Sequence, residues 1–198
     1  MAMIEGRTGQ RMNPRHGVTL KDFPTDPARF KSDLAPHVPE IIRTHGLEEW
    51  KACLLTNELH RHLGIYSLVG AKMGIRAREI LNAPFDALEV VSFAGSEPPL
   101  SCLNDGLQVS TGASLGRGTI RVAESRSEPA AMFVYNQKGL TMRLRSRYVS
   151  RIKSDIQAAL ERFGGLNPAY FAHIRQLSIE YWIRFDRSEL FEETLKSD

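Results

Sequence analysis

The segment LGIYSLVGAKMGIRAREIL, residues 63–81, constrains the fold most, because its apolar residues recur at intervals of three and four. That spacing places them along one face of a long α-helix. The stripe comprises Leu63, Tyr66, Gly70, Met73, Ala77 and Ile80 or Leu81. Gly70 and Gly74 lie one turn apart, and each lowers helix stability by roughly 1 kcal/mol relative to alanine. We therefore expect something to approach the helix closely at these glycines: the protein's own sheet, a second subunit or a ligand.

The rest of the chain predicts an α+β fold, an antiparallel sheet packed with helices. The strand candidates are LEVVSF, GTIRV, AAMFVYN and LTMRLRSR, and the last two form a hairpin. Apolar periodicity predicts further helices near residues 148–163 and 168–185. Residues 1–36 are rich in glycine, proline and charge, and predict an arm or a loosely packed lead-in. Residues 37–198 then form a single core domain that ends in helices.

Composition excludes several classes of protein. The chain has no apolar run long enough to cross a membrane and no apolar segment typical of a secretory signal, so we expect a cytoplasmic protein without a membrane partner. Its two cysteines form no CxxC pair, which excludes a four-cysteine zinc finger in this chain. A formal net charge of +3 permits nucleic-acid contact without requiring it. The alternating Arg143, Arg145 and Arg147 are more typical of a solvated strand face than of a binding stripe.

His60 and His62 are the first candidate ligands. Residues two apart on an α-helix point about 200° away from each other, so this pair could not hold one ion from within a helix. We expect both to lie in an extended or turn segment before the long helix, where Gly64 relaxes the backbone. From spacing alone, an exposed or hydrogen-bonded pair without a metal is the more common arrangement.

A second candidate region is SEPPLSCLNDGLQVSTGASLGRG, residues 96–118. Cys102 falls in the first turn of a predicted helix, where the helix dipole favours a thiolate that could act as a soft ligand or a nucleophile. The alternative is a small buried apolar residue. Asp105 and Gln108 follow at helical spacing. The segment Ser114–Gly118 could bind an anion or could form an ordinary turn.

Together these segments resemble the FmdE-like family, named after the E subunit of formylmethanofuran dehydrogenase. The family pattern has His-x-His at the start of a glycine-bearing helix, then Cys-x-x-Asp-Gly-x-Gln, then Thr-Gly-Cys-Thr-Leu-Gly-Lys-Gly. The chain matches these three blocks, in order, with His60 and His62; with Cys102, Asp105, Gly106 and Gln108; and with Thr111, Gly112, Leu115, Gly116 and Gly118. The blocks span about 60 residues of the chain. Ala113 replaces the usual cysteine, Ser114 the threonine and Arg117 the lysine.

The resemblance implies an α+β core in an intertwined homodimer, with a transition-metal ion, zinc first, held by His60, His62 and Cys102. Three such ligands would leave one position open. Asp105, Gln108, Thr111 and Arg117 are then candidates to orient a ligand or contact a bound molecule. The expected role is an accessory or ligand-binding module that associates with a larger oxidoreductase. The alternative is an enzyme that uses a metal-bound water or the Cys102 thiolate in a dimer pocket.

Overall fold

Six α-helices and one five-stranded sheet make up the part of the chain that the structure, a computed structural model, describes: residues 19–197. The helices are α1 (Val38–His60), α2 (Ile65–Leu81), α3 (Leu103–Thr111), α4 (Ser146–Phe163), α5 (Pro168–Arg184) and α6 (Arg187–Leu190). The strands are β1 (Glu89–Ser92), β2 (Ile120–Val122), β3 (Ala130–Tyr135), β4 (Lys138–Leu144) and β5 (Phe191–Ser197). The α+β class predicted from the sequence is confirmed.

Helix α3 covers the glycine face of α2. A Cβ atom added at Gly70 would collide with the backbone carbonyl of Leu103, and one added at Gly74 would collide with the Ser110 hydroxyl. From the other side, a Cβ at Gly106 would collide with the backbone of α2 at Ser67 and Ala71. The close approach predicted from the glycines is therefore made by a helix of the same chain, not by the sheet, and it leaves no room for a ligand there.

The sheet has the order β2-β1-β3-β4-β5 and is mixed, which corrects the antiparallel prediction. β3 is antiparallel to both β1 and β4, and β4 is antiparallel to β5. β1 and β2 run parallel, with Val90 opposite Ile120. The cause is the connection between them, which contains α3: a long crossover returns the chain to the same end of the sheet, whereas a short hairpin reverses it.

The C-terminal strand β5 was not predicted from the sequence, which suggested that the chain ends in helices. α5 ends at Arg184, and α6 then leads into β5, which pairs with β4 along seven residues from Phe191 to Ser197. Only Phe191 is buried among the side chains described in β5, and Leu195 is 53% exposed. An edge strand with so little buried surface carries almost no apolar alternation, so its signal in the sequence is weak.

A buried ion network joins α1, α2, α5 and α6. The Lys72 ammonium, 1% exposed, donates to Glu49 Oε1 at 2.5 Å and to the Phe185 carbonyl at 2.8 Å. The other oxygen of Glu49 accepts from Arg187 Nη1 at 3.1 Å, and Arg187 also donates to Glu79. A buried carboxylate between two cations is costly to disrupt from either side, so this network fixes the helices behind the candidate site.

Residues 19–36 contact the helical core. Leu34 is 5% exposed, Trp50 Nε1 donates to the Pro24 carbonyl at 3.0 Å, and Arg175 forms a two-point ion pair with Asp33 at 2.6 and 2.8 Å. The first 18 residues of the predicted lead-in lie outside the described residues. α1 begins at Val38, next to the predicted domain boundary.

Candidate functional site

His60 and His62 lie side by side at the junction of α1 and α2. His60 is the last residue of α1, Arg61 adopts the left-handed conformation (φ 65°, ψ 2°), and α2 begins at Ile65. The ring centroids are 4.2 Å apart and the ring planes are inclined by 41°. His60 therefore lies in the last turn of a helix, whereas His62 lies in the connection between the two helices; we predicted an extended or turn segment for both. The left-handed backbone at Arg61 turns His62 back toward His60. A continuous helix would point the two side chains away from each other.

Asp105 fixes the orientation of His60. Its Oδ2 is 2.6 Å from His60 Nδ1, and the imidazole side chain is only 11% exposed. A carboxylate accepts a hydrogen bond, so Nδ1 carries the proton and Nε2 has its lone pair free in the neutral ring. Within the described residues, His60 Nε2 is buried and has no hydrogen-bond partner. The site thus presents the buried Nε2 lone pair of a histidine whose tautomer is set by Asp105 at the opposite ring nitrogen. This arrangement is common among metal-ligating histidines.

His62 contributes a second imidazole that is more exposed to solvent. Desolvation of its buried part lowers its pKa, the neighbouring His60 lowers it further, and Asp105 raises it in part. Its ring lies 6.1 Å, edge to face, from Phe171 at the start of α5. A lowered pKa favours neutral imidazole near pH 7, which is the form that binds a metal ion.

Electrostatics at this junction depend on Asp105. The carboxyl end of α1 favours a cation, while the amino end of α2, next to Gly64, opposes it. These two helix-end effects act against each other over a short distance. Asp105, on α3, then supplies the nearby negative charge that a cation would need.

Cys102 lies immediately before α3, as the residue that caps its amino end. It is half-buried, and burial followed by the negative charge of Asp105 raises its pKa. These two effects act against the thiolate that the helix dipole was expected to favour. Among residues 19–197, no three His, Cys, Asp or Glu side chains lie close enough together to hold a metal ion. The structure thus places His62 beside His60 and Asp105 against His60 Nδ1, and it does not assemble them with Cys102 into a three-ligand group among the described residues.

The remaining predicted site residues make local contacts. Gln108 accepts from the backbone N–H of Leu115 at 3.3 Å, and Thr111 Oγ1 donates to Leu107 O at 2.6 Å while it accepts from the Ala113 N–H at 3.1 Å. Arg117 pairs with Asp86 and donates to the Gly112 carbonyl at 3.0 Å. Ala113, where the family pattern has cysteine, is 1% exposed and packs in the main apolar core.

Sequence reasoning missed Asn57 and Ser67 at this junction, and it expected Gly64 only to relax the backbone. Asn57 Oδ1 accepts from the Gly64 N–H and from the Ser67 hydroxyl, both at 3.2 Å, and its amide donates to Cys53 O at 2.7 Å. A Cβ atom added at Gly64 would lie 3.3 Å from His62 Nε2 and 3.4 Å from His60 Cδ2. An asparagine inside a helix gives little signal in a sequence, since its role here depends on a contact with the next helix.

The family-implied metal can be tested against these contacts. The unpartnered His60 Nε2 beside the His62 ring suits a divalent cation. The donor set fits in part, because two imidazoles are adjacent but no third His, Cys, Asp or Glu ligand is assembled with them among the described residues. His60 and His62 would hold the ion, which would supply a Lewis acid at this position.

Two surface cavities lie away from the histidine pair. One, of about 210 Å³, opens on β1–β3 beside Val91 and Met132, and the other, of about 460 Å³, lies between His37 and His173 on α5. Neither is lined by His60, His62 or Cys102.

The arginine stripe does not lie on one strand. Arg143 is in β4 and pairs with Glu128, Arg145 precedes α4, and Arg147 is inside it. No helix among residues 19–197 is long and apolar enough to span a membrane.

An α+β fold with two adjacent histidines, one of them hydrogen-bonded to a carboxylate, defines a candidate ligand-binding or metal-binding protein. A family model described as "FmdE, Molybdenum formylmethanofuran dehydrogenase operon" matches residues 59–178, more than half of the chain. The chain therefore belongs to the FmdE family, and the resemblance drawn from the sequence is confirmed. The match begins one residue before His60 and includes Cys102 and Asp105. A comparison with curated proteins found no match.

Proposed function

We propose that this chain is a metal-binding accessory or ligand-binding module related to the E subunit of formylmethanofuran dehydrogenase. His60 and His62 hold one divalent transition-metal ion, zinc first, and Cys102 is the third protein ligand. The observation that carries the proposal is His60 Nε2, a buried nitrogen without a partner among the described residues whose ring is held by Asp105 at 2.6 Å.

Cys102 joins the ion only as a thiolate. Its raised pKa keeps the thiol protonated in the metal-free chain at neutral pH. A divalent cation offsets the charge of Asp105 and favours loss of the thiol proton, so metal binding releases a proton and strengthens as pH rises. No three-ligand group is assembled among residues 19–197, so Cys102 would have to move to join the ion.

Metal content tests the proposal. The purified protein is expected to hold about one transition-metal ion per chain, because two imidazoles and one thiolate form a complete protein ligand set for zinc. The double variant His60→Ala/His62→Ala should lose the ion, whereas His37→Ala/His173→Ala, a control pair beside the distant cavity, should keep it. Metal-free wild-type protein that also fails to take up added zinc would refute the proposal.

Cobalt substitution tests Cys102 separately. A cobalt-loaded protein with a thiolate ligand shows a thiolate-to-metal charge-transfer band, and Cys102→Ser should abolish that band while the histidine ligands keep some affinity. A cobalt complex of the wild type without the band would remove Cys102 from the ligand set and leave the histidine pair in place.

The proposed assembly is a homodimer that associates with a larger oxidoreductase. The family is named for a formylmethanofuran dehydrogenase operon, which supports a role beside a redox enzyme. Val91, Met132 and Val134 give the second face of the sheet a half-buried apolar centre, opposite the buried Val90 and Phe133. If this face is the dimer contact, Val134→Lys should shift the sedimentation coefficient from that of a dimer to that of a monomer. A cytoplasmic location stays a prediction from the sequence.

The second candidate function is an enzyme that acts on a small molecule at the same junction. It is favoured by the His60 and Asp105 pair, since an imidazole held at Nδ1 by a carboxylate with Nε2 free is also the arrangement of a general base. The raised pKa of Cys102 disfavours a thiolate nucleophile in the metal-free protein. A purified, metal-loaded protein that turns over a small-molecule panel, with turnover lost in His60→Ala, would select this function.

A further inference from the structure

Gly64 lies between the two imidazoles although its backbone does not require a glycine. Its φ of −113° and ψ of 149° are extended values that any residue adopts. Its N–H donates to Asn57 Oδ1 at 3.2 Å, and its carbonyl accepts from the Ser67 hydroxyl at 2.9 Å. A side chain at this position would not disturb either hydrogen bond directly. The reason for glycine must therefore be the space beside its Cα atom.

That space is bounded by polar groups of the site. A Cβ atom at residue 64 would lie 3.0 Å from Ser67 Oγ, 3.3 Å from His62 Nε2 and 3.4 Å from His60 Cδ2, the ring atom bonded to Nε2. The nitrogen-bearing edges of both rings thus border position 64 so closely that a methyl group would fit only if a neighbouring side chain shifted. The unpartnered His60 Nε2 belongs to one of these edges.

We infer that Gly64 sets how closely the two imidazoles can approach one small divalent ion, because a side chain at position 64 would press on His62 and on Ser67. The inference rests on the proposed metal-binding function and adds a residue to it. A methyl group at position 64 would move an imidazole by a few tenths of an ångström, while metal–ligand distances are held to about ±0.2 Å. A shift of that size is enough to weaken a bond of about 2.0–2.1 Å between zinc and a histidine nitrogen.

Gly64→Ala tests the inference, with Gly116→Ala as the matched control. Gly116 has nothing within 4 Å of its added Cβ, and its φ is outside the left-handed region. We expect zinc affinity, measured by competition with a chromophoric chelator, to fall at least tenfold in Gly64→Ala and to stay unchanged in Gly116→Ala. Imidazole ¹⁵N shifts of the zinc-loaded proteins should change for His60 and His62 in the first variant alone.

The outcomes separate this inference from the proposed function. Wild-type protein that binds zinc, together with a Gly64→Ala variant that binds equally well, would overturn the role of Gly64 and leave the metal site intact. Wild-type protein that binds no metal would overturn both. If Gly64→Ala fails to fold, Gly64→Ala/Ser67→Ala relieves the closest contact, that with Ser67 Oγ, and keeps the methyl group beside the rings. We expect this double variant to fold and to bind zinc weakly, and normal affinity would overturn the inference.

Discussion

Replacing Asp105 with alanine should weaken metal binding through His60 without removing a ligand. The carboxylate is 2.6 Å from Nδ1, so its loss frees the ring to rotate and to exchange tautomers, and a large share of the neutral population would then carry its proton on Nε2. Loss of such an outer partner typically costs roughly 10- to 100-fold in metal affinity. That range corresponds to about 1.4 to 2.8 kcal/mol. Because the Asp105 side chain is 33% exposed, solvent screening places the expected effect in the lower half of the range.

The assay is a zinc competition titration of wild type, Asp105→Ala and Glu97→Ala, with circular dichroism to check the fold. Glu97 is an exposed carboxylate shortly before α3 and serves as a control for the change in net charge. Asp105→Asn should bind with intermediate affinity, since the amide oxygen can still accept from Nδ1 but lacks the charge. Equal affinities for Asp105→Ala and Glu97→Ala would refute the reasoning, because His60 would then be oriented by something other than Asp105.

Three further predictions concern the framework of the site. Lys72→Met should lower the free energy of unfolding by about 3 kcal/mol, because it leaves the buried Glu49 with only Arg187 and the imidazole of His45 beside it. Lys51→Met, which breaks a pair of 3.8 Å with the exposed Glu48, should cost under about 1 kcal/mol in urea titrations. Burial lowers the pKa of His45 below 6.5, so the unfolded chain takes up a proton at a higher pH than the folded chain does. The free energy of unfolding should therefore fall as pH drops below about 6.5, and it should fall less steeply in His45→Gln. Identical pH slopes for the wild type and the variant would contradict this. Gly106→Ala should lower stability by about 1 to 3 kcal/mol through collision with α2, and a thermal midpoint at or above that of the wild type would contradict the contact.

Local chemistry made much of the secondary structure predictable. Gly46, with φ 83° and ψ 163°, interrupts α1 with a non-helical backbone conformation. Asn167 caps α5 by accepting from the Tyr170 N–H at 3.0 Å, and Gly164 ends α4 in the left-handed conformation, both next to the helix bounds predicted from apolar periodicity. These features depend on backbone preferences of one or two residues, which a single sequence displays directly.

The parallel pairing of β1 with β2 and the strand β5 could not be read in the same way. Register and direction depend on partners that are distant in the chain: Val90 meets Ile120, and Leu144 meets Phe191. Short strands carry too few residues to show a clear period, so their pairing is decided by how the intervening helices pack.

At the candidate site, the sequence by itself determined the residue types: a histidine pair, a cysteine with an aspartate three residues on, and a glycine-bearing helix. The family pattern gave these residues a common context. Only the tertiary structure decided that Asp105, 45 residues after His60, is the group that holds its Nδ1. It also decided that Cys102 is half-buried, with a thiol pKa raised by burial and by Asp105, and that Gly64 borders both rings. The physical reason is that desolvation, the fields of nearby charges and free volume depend on all neighbouring atoms, and most of those neighbours lie far away along the chain.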